Sequence, residues 1–144
     1  MTEPYRHSVS VAAVVVNDDG EILVIQRRDN DAWQLPGGIL EPHESIHDGV
    51  RREVLEETGL HVEPMHLTGV YKNIPLGVVA LVFLARHVEG APQPTDESAA
   101  VEWRAPARIT EEMTEAFATR IIDALEFRDH PAVRHHDGTN LLQP

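Results

Sequence analysis

Residues Gly38–Leu60 read GILEPHESIHDGVRREVLEETGL, and both the fold and the chemistry turn on this stretch. Ser45–Thr58 predicts a helix. Ser45 and Asp48 have capping-box spacing, so the serine hydroxyl can accept from an N-terminal amide and the aspartate can answer. Gly59 stands where a helix ends in a left-handed residue. Successive helical residues turn by about 100°, which puts Glu53, Glu56 and Glu57 on one narrow face. Ile46, Val50 and Val54 form an adjacent apolar stripe suited to packing on a sheet. Gly49 lies one turn before Glu53. Lacking a side chain, it lets a ligand approach the acidic face, at a cost of roughly 1 kcal/mol of helix stability relative to alanine.

The acidic face opposes its own helix. Like charges at i,i+3 and i,i+4 repel, and Glu56 and Glu57 fall in the last turn, where the dipole favours cations. Two explanations fit. Hard divalent cations, Mg²⁺ or Mn²⁺, take carboxylate ligands and would supply the missing charge. Alternatively, Arg51 and Arg52 pair with Glu44, Glu56 or other acids in a solvated salt-bridge face.

Outward from the helix, Ser8–Val16 and Glu21–Arg27 are apolar, β-branched stretches joined by Asn17-Asp18-Asp19-Gly20, a strand–turn–strand signal. Asn30–Gly38 reads as a loop ending in Pro36-Gly37-Gly38. Val62–Tyr71 and Leu76–His87 read as strands, Glu89–Ser98 as a loop and Ala99–Trp103 as a short strand. Thr110–Phe127 has helical spacing, with Met113, Phe117, Ile121 and Leu125 beside Ala116 and Ala124 as a core stripe. From about Arg128 the chain reads as a polar, partly ordered tail. Strands mixed with two helices predict an α/β sheet with helices packed on it.

Composition narrows the function. A chain of 144 residues fits one domain, 1–144. It has no cysteine, which excludes disulfides, thiolate metal sites and a cysteine nucleophile. The net charge of −12 argues against a broad nucleic-acid surface. The same charge suits a phosphate-binding enzyme only if cations screen the site. Met1–Ser10 carries no apolar leader, and Val11–Val16 and Val78–Leu84 are too short to span a bilayer. A cytoplasmic protein without membrane partners is expected.

The wider pattern of the acidic helix favours the metal. Gly38, five residues, Glu44, seven residues, then Arg52-Glu53-Val54, Glu56-Glu57 and Gly59-Leu60 resemble the Nudix box at every defined position. Trp33-Gln34-Leu35-Pro36-Gly37-Gly38 resembles the usual entry to it. The box covers residues 38–60, and the order of elements resembles a Nudix domain over roughly the whole chain.

The resemblance implies an α/β/α sandwich around a central mixed sheet, with a loop–helix–loop catalytic motif. It implies Glu53 and Glu57 as the main Mg²⁺ ligands and Glu56 as a further one, with Mn²⁺ a substitute. It also implies that Arg52 orients a catalytic carboxylate and that Glu44 supports it through an ion pair. Gly38 permits the loop geometry and offers its carbonyl to metal, and Gly59 closes the helix. Nudix enzymes often recruit a carboxylate from outside the box. Asp96 and Glu97 lie in a suitable loop, Glu97 being the better match, as metal ligand or general base in rivalry with Glu53. For substrate, Arg27 and Arg28 close the second strand near where the family places phosphate contacts, Lys72 and Tyr71 flank the sheet exit, and Trp33 is placed to stack on a base or to pack. Pro75, sixteen residues beyond Gly59, resembles a proline of ADP-ribose pyrophosphatases, although a turn explains it equally well. None of the nine histidines is expected to bind metal.

The implied activity is Mg²⁺-dependent hydrolysis of a diphosphate linkage in a nucleoside diphosphate derivative or nucleoside triphosphate. An ADP-ribose or nucleotide-sugar pyrophosphatase, and a non-catalytic nucleotide-binding module, are the alternatives. The partner is a small phosphoanhydride, and a homodimer is left open because many relatives are dimers.

Overall fold

The computed structural model describes residues 5–143. Met1–Pro4, within the stretch expected to carry no leader, and Pro144, the end of the expected 1–144 unit, lie outside the described residues.

A long apolar strand, β1 (Ser8–Val16), runs through the middle of a mixed sheet. Strand side chains alternate between faces, and both faces of β1 are covered. Val11, Ala13 and Val15 point to one core, with Val50, Val54, Leu60 and Phe83. Ala12 and Val14 point to the other, with Tyr71, Val82, Ile121 and Ala124. Burial on both sides is why β1 and β2 (Ile22–Arg27) read as continuous apolar runs and not as alternating ones.

The remaining strands are β3 (Trp33–Gln34), β4 (Gly37–Ile39), β5 (His61–Asn73), β6 (Val78–Glu89), β7 (Ser98–Arg104), β8 (Ala132–His136) and β9 (Leu141–Leu142). The main order is β3-β2-β1-β6-β5-β8-β9, with β4 on β1 and β7 on β2. The β1–β6 and β5–β8 pairs are parallel and the rest antiparallel. Helix α1 (Ile46–Thr58) covers one face. The other face carries the single turn α2 (Pro106–Ile109) and helix α3 (Glu115–Leu125). This is the α/β/α sandwich around a mixed sheet. Among the described residues no helix is long and apolar enough to cross a membrane.

Several boundaries differ from the sequence reading. The loop expected over Asn30–Gly38 holds β3 and β4, each too short to show a period. The helix expected from Thr110 begins at Glu115, because a 3₁₀ turn over Thr110–Glu112 and extended Met113 and Thr114 precede it. The polar tail supplies β8 and β9, and His136 is fully buried. In α1 the cap is half a box. Asp48 N–H donates to Ser45 Oγ at 3.1 Å, while the Asp48 carboxylate accepts from Arg51. Ile46 is 40% exposed and leaves the stripe. Val50 and Val54 are fully buried, each contributing about 1.5–3 kcal/mol of apolar transfer.

Candidate active site

The site forms where the C-terminal half of α1 faces the Gly37-Gly38 turn and the loop before β7. Strand β4 pairs with β1 in the register Val11↔Gly38 and Ala12↔Gly37. A Cβ on Gly37 would lie 2.3 Å from the Val11 carbonyl oxygen, so only glycine fits. The pairing aims Gly37 N–H at α1, where Glu57 Oε1 accepts it at 2.6 Å. Gly38 lies against the Glu53 carboxylate, since a Cβ there would come within 2.6 Å of Oε2.

Arg52 organises the acids around it. Its Nε and Nη2 donate to the two oxygens of Glu44 at 2.8 and 2.6 Å, a two-pronged bond. Nη1 donates to Glu53 Oε1 at 2.8 Å and to Glu56 Oε2 at 3.3 Å. Glu44 also accepts Glu41 N–H, and these donors hold its carboxyl down at about 2. Arg51 turns the other way, to Asp48 and Glu63, as a solvated ion pair. The salt-bridge explanation of the charged helix therefore holds for Arg51 and for Arg52 with Glu44 and Glu56. Arg52 is one cation shared among Glu44, Glu53 and Glu56, and Arg27 is drawn off by Asp29.

Glu97 completes the cluster. One carboxylate oxygen from each of Glu53, Glu56 and Glu97 lies within 4.8 Å of the other two. The loop is held by Glu97 N–H to Thr95 Oγ1 and by Ser98 Oγ to the Glu57 carbonyl at 2.7 Å. Thr95 and Ser98 are positioning residues that the motif does not mark. The trio contains Glu97 where the resemblance puts Glu57. Glu57 instead sits deeper, 6% exposed, bonded to Gly37. Burial first, then the charges of Glu53 and Glu97, push its carboxyl up to about 7 against the pull of Gly37 N–H. Burial also raises Glu53, against the pull of Arg52.

Other candidates divide. Arg27, Arg28, Glu57, Asp96 and Glu97 border one cavity. Arg28 donates to the Thr95 carbonyl at 2.7 Å. Trp33 borders the neighbouring cleft with Met113 and Phe117, and the Arg104 guanidinium stands 5.2 Å from its ring centre. Lys72 borders none of these cavities. Tyr71 is fully buried and donates to Asp123 at 2.7 Å, so it faces no phosphate. Pro75 sits in the exposed turn between β5 and β6. Gly49 makes room for Leu40 and Glu44, not for a ligand: a Cβ would lie 2.5 and 3.0 Å from them. Gly59 closes α1 at φ 80°, with its N–H on the Leu55 carbonyl. Phe117, expected in the core, lines two clefts, and Arg120, which the sequence pattern does not single out, lines one of them.

A mixed sheet between helices, with a carboxylate cluster on one helix beside a glycine turn, defines the class as Nudix-type pyrophosphohydrolases. The NUDIX domain model matches residues 6–125, and the chain belongs to that family. It is 51% identical to a MutT-like protein of Streptomyces ambofaciens over 98% of this chain and 91% of that protein. It is 43% identical to human 8-oxo-dGDP phosphatase NUDT18 over 56% of this chain, which spans only 25% of the human protein. Among solved structures, an ADP-ribose pyrophosphatase from Streptococcus suis superposes with a TM-score of 0.74 at 25% identity, covering 91% of this chain and all of that one.

Proposed function

We propose that residues 1–144 act as one Nudix domain in the cytoplasm. It cleaves the diphosphate linkage of a nucleoside diphosphate derivative or nucleoside triphosphate, by attack of water at phosphorus, with Mg²⁺ as cofactor and Mn²⁺ as substitute. The observation that carries this reading is the meeting of Glu53, Glu56 and Glu97 within 4.8 Å at the edge of a cavity bounded by Arg27 and Gly37. All-oxygen donors with too few cations fit a hard divalent ion. Glu53, Glu56, Glu57 and Glu97 would hold it, with the Gly38 carbonyl alongside. A divalent ion held there would supply charge to neutralise the diphosphate and the leaving phosphate and a means of orienting water.

The chain's own groups do the rest. Arg52 fixes the rotamer of Glu53. Glu97 accepts no side-chain hydrogen bond among the described residues, which favours it over Glu53 as the acceptor of the water's proton. Arg27 and Arg28 steer the phosphates, and Trp33 borders the cleft for the remainder of the substrate.

The test is a panel of nucleoside triphosphates, nucleotide sugars, ADP-ribose and dinucleoside polyphosphates with Mg²⁺ or Mn²⁺, with products identified by mass. Turnover is expected, and Glu56→Gln or Glu57→Gln should abolish it while the variant still folds and melts cooperatively. No turnover across the panel favours a binding module. Unchanged turnover in both variants removes the mechanism.

A further inference from the structure

The first turn of α3 is capped from outside its own sequence. A helix leaves its first amides without intrahelical partners, and the side chain of the capping residue, Thr114, makes no hydrogen bond to them. The Thr139 carbonyl accepts Ala116 N–H at 2.9 Å instead. One residue earlier, Glu115 Oε1 accepts Leu141 N–H at 2.7 Å. The start of α3 is thus tied twice to a segment beyond residue 125, where the match to the family model stops.

Asp137 shapes that segment. Its Oδ1 accepts Thr139 N–H at 2.9 Å and Asn140 N–H at 2.8 Å, the bonding of an Asx turn. Its own N–H donates to the Asn140 carbonyl at 3.2 Å. Gly138 follows at φ 103°, which side chains disfavour. The turn is anchored on the sheet, where the His136 carbonyl accepts Ile74 N–H at 2.9 Å.

The same turn borders a cleft. Gly138 lines it together with Trp33, Met113, Thr114 and Phe117. Met113, Thr114 and Phe117 belong to the start of α3 that the turn caps. The cleft holds about 300 Å³, enough for a small ligand. Arg27 borders both this cleft and the cavity at Glu57 and Glu97. A substrate whose diphosphate lies at the carboxylates reaches past Arg27 to walls that the turn sets.

We propose that the turn at 137–140 is a positioning element of the substrate cleft, governed by Asp137. By capping α3 it holds Met113 and Phe117 where they grip the part of the substrate remote from the diphosphate. This rests on the proposed placement of the diphosphate at the carboxylates. Asp137 touches no reacting atom and acts through the backbone of Thr139 and the first turn of α3. Removing its acceptor oxygen frees the Thr139 and Asn140 amides and loosens the cap. The apolar wall then moves, while the carboxylate cluster around α1 stays.

The test is equilibrium binding, with Mg²⁺, of α,β-methylene-ADP, α,β-methylene-GDP and bare methylenediphosphonate to the full chain. Wild type, Asp137→Ala and Asp137→Asn are compared, each checked for a cooperative melt. Asp137→Ala should weaken both nucleotides about tenfold, the scale of one lost apolar contact, and leave methylenediphosphonate unchanged. Asp137→Asn keeps the acceptor oxygen and should bind all three like wild type. Amide hydrogen exchange at Ala116 should quicken in Asp137→Ala alone. Unchanged nucleotide affinity, an equal loss for all three probes, an asparagine variant as weak as alanine, or an unquickened Ala116 amide overturns the proposal. If Asp137→Ala does not melt cooperatively, Glu115→Ala decides, since it cuts the other tie and should show the same selective loss. On any nucleotide that wild type hydrolyses, KM should rise in Asp137→Ala while kcat stays. Nucleotides bound no tighter than methylenediphosphonate by wild type strike this inference and leave the hydrolase reading standing. Binding without turnover strikes the hydrolase reading, and the selective loss still decides this one. Binding of none of the three strikes both.

Discussion

Glu57 carries the most stress of any side chain in the site. It is a buried carboxylate with one N–H donor and two acids nearby. Its folded pKa of about 7 lies above the ordinary 4.5. Between those values the folded chain binds the extra proton, so stability falls as pH rises through the window. The metal-free protein should therefore lose melting temperature relative to Glu57→Gln between about pH 5 and about pH 8. Mg²⁺ should narrow the gap by binding only the folded state. A gap that does not change with pH would show that the carboxyl is not raised. Gly38 sets the companion test. Its φ is not in the left-handed region, so alanine suits the backbone, yet the new Cβ displaces Glu53. Gly38→Ala should keep the melt and lose on the order of 100-fold in kcat/KM, as misplacement by an ångström does. A rate near wild type would show that Glu53 has slack. At this scale the motif made the acids legible, because their spacing is local. The meanings of Gly49 and Tyr71 were not: Gly49 is decided by how Leu40 and Glu44 fold back on the helix from the turn before it, and Tyr71 by Asp123, far along the chain.

Helix α1 brings these residues together, and its two ends have different jobs. Ser45 closes the N-terminal amides at 3.1 Å, two turns from Glu53. Replacing such a cap by alanine costs about 1 kcal/mol, worth on the order of 3 °C in a chain of this size. Ser45→Ala should show that drop in a thermal melt and an unchanged kcat near room temperature. A fall in kcat would mean that the first turn also positions the carboxylates. The C-terminal end is tied differently, through Ser98 and Gln93 to the loop before β7. Elements with a long period or a full apolar run, β1, β2, α1, β5, β6 and β7, were readable from the sequence. Strands β3 and β4 were not, since two or three residues beside Pro36 and two glycines carry no period. Strand β8 was missed because AVRHH is polar in composition. It earns its place by pairing with β5 and burying His136, which sequence spacing does not reveal.

Across the molecule, the C-terminal segment locks the face opposite α1. Strand β8 pairs in parallel with β5, setting Arg134 beside Tyr71 in register. Arg134 then gives Asp123 two bonds, at 2.8 and 2.7 Å, from a strand to a helix on which it packs. Asp123 is 9% exposed, so its charge depends on these donors and on Tyr71. Removing one partner of a buried pair strands the other charge. The Arg134 side chain is 39% exposed, and water there screens the pair, so the cost sits below that of a fully buried bridge. Arg134→Met should therefore destabilise the fold by about 2 kcal/mol in denaturant melts. If the loss comes from the stranded carboxylate, neutralising it should recover part of the loss. Arg134→Met combined with Asp123→Asn should then cost less than the sum of the two single changes, the sign of direct coupling. Strict additivity would mean that β8 is held by its backbone pairing alone, and that the ion pair merely accompanies it.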